Sequence, residues 1–434
     1  KTSEDGMVEG VKFRLTGTSL SGEKIDLTAT TNANGVAMFE DVLITGHSTY
    51  TVTEVDTKAY YITPAAQSVS IAWNEVTNKS FYNELKRGSL RVQKTSEDGF
   101  VEDMRFRLVG TSDSGIKVDE TVYTDANGVA LFEDILIGKN YVLTEEKTPT
   151  RYVVPAKQTV DIAWNTVTGA SVENILKKWR ADVFKVDGYL YWGNPEEDNG
   201  LVPMVMSANP TAKSAADELG WPYGETQGDA TLEGAVYGVY KNGDLVDTYT
   251  TNKDGWFITK YYPCGDNNEW TIREISASEG YLLDPTVYYV DAHPGNYSVE
   301  LNTEYIDVYE AIIRGKISII KHADDGSTQI EHPEENAVFE VYLKSAGSYE
   351  NARETERALL VTDAYGYAET PEWLPYGVYT VKQTKGLEGK ELMPAFDVNI
   401  CEDGETYRYL INNATFEAEI EIVKKDAETG KVIP

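Results

Sequence analysis

Lysine, glutamate and asparagine recur in this 434-residue chain at positions that continue runs of apolar side chains. Successive residues of a strand face opposite sides. In SLRVQK, Leu90, Val92 and Lys94 therefore share one face. The same parity joins Ala181, Val183 and Lys185; Ile317, Ile319 and Lys321; and Ile420, Ile422 and Lys424. A glutamate follows the rule in Tyr50, Val52, Glu54; in Tyr141, Leu143, Glu145; and in Trp270, Ile272, Glu274. An asparagine follows it in Phe81, Asn83, Leu85; in Val172, Asn174, Leu176; and in Tyr409, Ile411, Asn413. Asn83, Asn174 and Asn413 each stand 11 residues before Lys94, Lys185 and Lys424 respectively, so the register is constant.

One inward Lys, Glu and Asn per repeat can do chemistry. Buried lysine is rare unless something pairs with it. Burial disfavours charge, which lowers the pKa of the amine and raises that of the acid. A neutral amine is a nucleophile, and a protonated glutamate can polarise a carboxamide and shuttle protons. Attack on the asparagine carboxamide expels ammonia and leaves a Lys–Asn amide. The competing reading is a buried Lys–Glu ion pair with Asn as a hydrogen-bond partner, an arrangement often neutral for stability. Two near-identical triads at one register favour the crosslink in the first two repeats.

The elements that position these residues are repeats. KTSEDGMVEGVKFRLTGTS from Lys1 returns as KTSEDGFVEDMRFRLVGTS from Lys94, and TNANGVAMFEDVLI from Thr31 returns as TDANGVALFEDILI from Thr124. IAWNEVT at Ile71 returns as IAWNTVT at Ile162. Weaker copies start around Lys185, Lys321 and Lys424, with turns TNKDGWF and TDAYGYA followed by WTIRE and YTVKQ. Abundant Tyr and Trp (29 and 8), with recurrent Val and Thr, favour strands. The chain is therefore expected to be all-β. Its expected domains are residues 1–86, 87–178, 179–314 with an insertion near 189–230, and 315–417, with 418–434 the first strand of a further repeat. AKSAADEL from Ala212 and SYENARETERAL from Ser348 read as short helices. No Pro/Gly/Ser-rich linker separates the repeats, which predicts a stiff rod.

Composition narrows the function classes. The net charge of −32 repels nucleic acid and anionic membrane. Cys264 and Cys401 lie in different repeats, so no disulfide framework is expected. No apolar run approaches the roughly 20 residues of a membrane helix. His47, His293, His322 and His332 lack zinc spacing. TDANG and TNKDG lack the glutamate of a calcium loop and read as hairpin turns. The acidic cluster Glu196, Glu197, Asp198 reads as a solvated loop. Trp73 and Trp164, at equivalent repeat positions, are expected in the core. No cofactor or metal is implied, and no signal or anchoring segment is visible.

The KTSEDG-like strand, the YTVTE-like strand and the terminal Asn strand resemble the collagen-adhesin B-type and SpaA-type pilin domains of Gram-positive surface proteins. The resemblance covers nearly the whole chain outside the insertions. It implies tandem prealbumin-like, reversed-immunoglobulin β-sandwiches, many of which form an intramolecular Lys–Asn isopeptide with Glu assisting. Carried over, the triads are Lys1–Glu54–Asn83 and Lys94–Glu145–Asn174. In the third repeat Lys185 and Glu274 match, but Glu310 stands at the acceptor register. Asn302 and Asp307 are the alternative acceptors, Asp307 on the parity of Tyr305 and Tyr309. In the fourth, Lys321 and Asn413 match, but Gln383 replaces the acid and cannot shuttle protons. The implied role is a monomeric, self-crosslinked stalk of a cell-wall-anchored, extracellular adhesin or pilin-like protein. Such a stalk would engage an unidentified host or cell-surface ligand through distal domains, without turnover catalysis. The alternative is a binding module whose third-domain insertion contacts host protein or glycan.

Overall fold

The computed structural model describes residues 1–192, 224–265, 267–323, 332–388 and 390–413, except the side chains of 191, 192 and 413. The segment from Ala212, the cluster Glu196–Asp198 and the expected repeat at 418–434 lie outside the described residues. The chain divides into two compact units, one built on Lys1–Lys177 with Pro294–Glu300 and the other on the remainder from Lys178.

Alternating burial along each strand builds four two-sheet sandwiches. In Arg105–Thr111, Phe106 and Leu108 are buried between the polar Arg105 and Arg107. This strand pairs with Lys117–Tyr123 and with Gly138–Glu146, and the latter also pairs with Gln158–Ile162. The second sheet sets Arg87–Ser96 between Val129–Leu136 and, in parallel, Val167–Asn174. Leu90, Val92, Phe106, Leu108, Phe132, Tyr141 and Leu143 from both sheets form one core. Burying each such side chain contributes roughly 1.5–3 kcal/mol. The third and fourth sandwiches repeat this order; the first repeats the Lys12–Thr18 sheet, but its other sheet has only Thr2–Ser3 in parallel with Tyr82–Leu85, which also pairs with Tyr61–Ile62, and residues 36–43 form no strand.

The hairpin turns read from sequence are present. Asp125 accepts the backbone N–H groups of Asn127 and Val129, and Gly128 takes φ +73°. That left-handed turn brings the Gly128 carbonyl to the Lys94 N–H at 2.7 Å. Equivalent contacts join Gly255 to Lys185 and Gly366 to Lys321. The turn thus anchors the backbone at each lysine.

Two expectations are corrected. Ser348 onward is not an α-helix: after a 3-10 turn at Glu354–Glu356 the chain enters the strand Arg357–Val361. Ala358 and Leu360 are buried there at a period of two, and this burial outweighs helical propensity. Trp73 and Trp164 are not core residues, being 82% and 52% exposed. Both lie in turns just past Ile71 and Ile162, ahead of Asn74 and Asn165 at positive φ, and Trp164 carries Lys86 Nζ 4.8 Å from its ring centre.

Within the second unit, the third and fourth sandwiches share a polar joint. Arg314 donates to Gln227 Oε1 at 2.9 Å, and Gln227 donates to the buried Asp187 at 3.0 Å. The Gly228 N–H donates to Glu356 at 2.8 Å.

Candidate crosslink sites

The second sandwich shows how the strands assemble the site. Lys94 is level with Val172 on the neighbouring parallel strand, so Asn174 stands two residues further on. Strands lie about 4.8 Å apart and two residues advance about 6.6 Å, a diagonal of about 8 Å that a lysine stem spans. Glu145 comes from the opposite sheet, where it is level with Phe106. Its carboxylate bridges the other two groups: Asn174 Nδ2 donates to Oε1 at 2.9 Å, and Lys94 Nζ lies 3.7 Å from Oε2. Lys94 Nζ also donates to the Thr95 carbonyl at 2.6 Å. Lys94 and Asn174 are 1% and 0% exposed. Burial lowers the Lys94 pKa, against the opposing pull of Glu145. The Asn174 carbonyl oxygen receives no hydrogen bond among the described residues. A poised amine, an acid touching both partners and an unengaged carboxamide carbonyl are the parts amide exchange requires.

The first sandwich places Glu54 level with Phe13 and Ser3 level with Asn83, the same offsets. Asn83 Nδ2 donates to Glu54 Oε1 at 2.6 Å, with both residues buried. Lys1 Nζ donates to the Thr2 carbonyl, as Lys94 does to Thr95. Burial lowers its pKa, with Glu54 opposing. Lys1 is only half-buried. Residues 36–42 and 71–79, which include counterparts of the strands flanking Arg87–Ser96, here line a cleft of about 810 Å³ that reaches Lys1.

The third sandwich keeps Lys185 and Glu274 and changes the acceptor. Lys185 is level with Val308, so Glu310 holds the asparagine register. Lys185 Nζ lies 2.9 Å from Glu310 Oε1 and 3.1 Å from Glu274 Oε1, with all three residues buried. Tyr237 donates to Glu310 at 2.9 Å. Burial pushes the Glu310 pKa up to about 7, against the pull of Lys185. Asn302 and Asp307 are not brought to this lysine. Asn302 is level with Trp179, six residues up the strand or roughly 20 Å away, and donates to the Lys178 carbonyl. Asp307 is on the opposite face, because the inward parity is that of Val308 and Glu310. Tyr305 and Tyr309 made the outer parity look apolar; they are only partly buried.

In the fourth sandwich Lys321 is level with Ile411 and Ala323 with Asn413, the register of the second. Gln383, level with Phe339, occupies the usual acid position. Its carbonyl accepts from Met393 N at 2.9 Å and its amide donates to the Lys385 carbonyl at 3.3 Å. The acid beside Lys321 is Glu334, whose Oε2 lies 2.8 Å from Nζ. Sequence reasoning missed Glu334. Thr362 Oγ1 donates to its carbonyl as Thr31, Thr124 and Thr251 do to Val8, Val101 and Leu232. Aligning the repeats at those threonines exposes an acid in an otherwise apolar slot.

Comparisons with known proteins bear on the fold. Residues 88–175 and 224–305 match the model of the SpaA prealbumin-like fold domain. These segments are SpaA-type prealbumin-like domains. The first sandwich shares with the second the KTSEDG, ANGVA and IAWN motifs. No curated protein sequence matches the chain. Among solved structures, the Bacillus anthracis TIE protein shares the fold at 18% identity and a TM-score of 0.53, covering 94% of this chain and 69% of that one. BcpA, the major pilin subunit of Bacillus cereus, is 14% identical with a TM-score of 0.33, covering 76% of this chain and 99% of that one. Among the described residues, no helix is long and apolar enough to cross a membrane, and no group of three or more His, Cys, Asp or Glu side chains could hold a metal.

Proposed function

We propose that this chain is a load-bearing stalk of an extracellular, cell-wall-anchored adhesin or pilin-like protein, stiffened by autocatalytic Lys1–Asn83 and Lys94–Asn174 bonds. The observation that carries the reading is the buried carboxylate of Glu145, within reach of both the Lys94 amine and the Asn174 carboxamide. Its repetition at Glu54 supports it. In each case the amine attacks the asparagine Cγ, the bond to Nδ2 breaks, and the glutamate passes the amine proton to the departing ammonia. Each site turns over once, so the protein is not an enzyme in the usual sense. Its ligand is an unidentified host or cell-surface molecule bound through distal domains.

The test is the intact mass of the denatured chain. At least two ammonias should be missing, and digestion should recover Lys94 joined to Asn174. A mass equal to that of the sequence would refute the reading.

A further inference from the structure

The fourth sandwich departs from the others at two places. The acid of the Tyr50–Val55, Gly138–Glu146 and Trp270–Ser276 strands is Glu54, Glu145 and Glu274, but the Gly377–Lys385 strand carries Gln383. The apolar Val8, Val101 and Leu232, marked by their threonine contacts, are answered by Glu334. One carboxylate is gone from the strand position, and another has appeared beside Lys321.

Glu334 is built into its place. It is 1% exposed, its N–H donates to the Lys321 carbonyl at 2.9 Å, and its Oε1 accepts from Leu387 N at 2.9 Å. Its Oε2 points at Lys321 Nζ, 2.8 Å away, and has no hydrogen-bond donor of its own among the described residues. Lys321 Nζ donates to the His322 carbonyl at 2.6 Å, the pose Lys94 adopts toward Thr95. The backbone register then puts Asn413 two residues beyond the partner of Lys321, as Asn174 stands to Lys94.

We infer that Glu334 is the catalytic acid of a Lys321–Asn413 isopeptide bond, with the proton shuttle moved from the usual strand to the loop that precedes Val338–Leu343. This rests on the crosslinking reading above. Glu334 takes a proton from the Lys321 ammonium, the neutral amine adds to Asn413 Cγ, the Cγ–Nδ2 bond breaks, and the proton leaves on ammonia. Atoms balance as one amine plus one carboxamide giving one amide plus one ammonia. The chemistry asks for a carboxylic acid in contact with the amine, and either side of the lysine serves.

The experiment is peptide mapping of the full-length chain by mass spectrometry. The wild type should yield Lys321 joined to Asn413, one ammonia lighter than the two peptides together. E334Q should slow bond formation by roughly 10²–10⁴-fold, while Q383A should retain the bond. The double variant E334V/Q383E restores the pattern of the other sandwiches and should restore the bond. That rescue separates catalysis from mere ion pairing, because a structural partner lost from the loop would not be replaced from the strand. A bond that persists undiminished in E334Q, or that is absent from the wild-type fourth sandwich while Lys94–Asn174 is present, overturns the assignment. Absence of both bonds overturns the crosslinking reading itself.

Discussion

Glu145 and Glu310 are buried carboxylates that meet the lysine of their sandwich from different sides, Glu145 from the opposite sheet and Glu310 from the parallel strand. Glu145 touches both reactants, so Glu145→Ala should leave the second sandwich folded and its Lys94 and Asn174 unjoined. The measurement is the mass of the denatured variant, one ammonia heavier than expected from the mutation alone. Glu310 sits where the carboxamide would be, and its proton is held up to about 7 by burial. The folded third sandwich therefore keeps a proton that the unfolded chain releases near the ordinary glutamate pKa of about 4.3. Linkage then fixes the sign: this contribution is fully present below about pH 4.3 and is lost as pH rises through about 7. Pulse proteolysis of the full chain at about pH 4 and about pH 8, values bracketing that window, should show the third sandwich opening more readily at the higher pH. Glu310→Met should flatten the difference.

At the level of strands, the site is a consequence of register. The lysine and asparagine strands run parallel with a two-residue offset in the second, third and fourth sandwiches, and the first strand of the chain continues it. Supplying the missing carboxamide should then be enough to create a bond. Glu310→Asn is expected to join Lys185 to residue 310 with Glu274 as the acid, seen as the loss of one ammonia from the variant. An unchanged mass would show that register alone does not suffice. Much of this geometry was legible because strand parity is a strict period of two and the repeats superimpose. Lys94, Glu145 and Asn174 all continue the apolar face of Val92, Leu143 and Val172. The parity rule failed at Asp307, where tyrosines on the outer face imitate a core pattern. It was silent on Glu334, which lies in a loop and reaches the lysine only through tertiary folding. Trp73 and Trp164 misled for a related reason, since recurrence in repeats marks shared structure without saying on which side of it a residue lies.

For the whole chain, the connections matter as much as the sandwiches. One residue, Lys86, separates Tyr82–Leu85 from Arg87–Ser96, and three separate Leu301–Glu310 from Arg314–Ala323. If the bonds form, tension entering at Lys94 crosses to Asn174 and bypasses the core strands between them. Closing a loop of that length should stabilise by roughly 4–5 kcal/mol on the loop-entropy model used for disulfides. Pulling the full chain by its ends should give no full-length extension step from the first two sandwiches. Lys94→Ala should restore one from the second sandwich and leave it markedly more protease-sensitive. Full extension of the wild-type sandwiches at forces ordinary for β-sandwiches would count against the stalk.

The order in which the three groups occur along the chain has a further consequence. In the second sandwich the amine is met first, the acid next and the carboxamide last, at positions 94, 145 and 174. A polypeptide that emerges from a ribosome or a narrow export pore amino-terminus first cannot close its ring until the final strand is out. Were the proposed bond to form, it would be withheld from a half-made domain, and a closed ring would certify that the whole sandwich had emerged and found its register. A chain sealed too early would be too wide to thread, and this order of groups would delay sealing until threading of that domain is done.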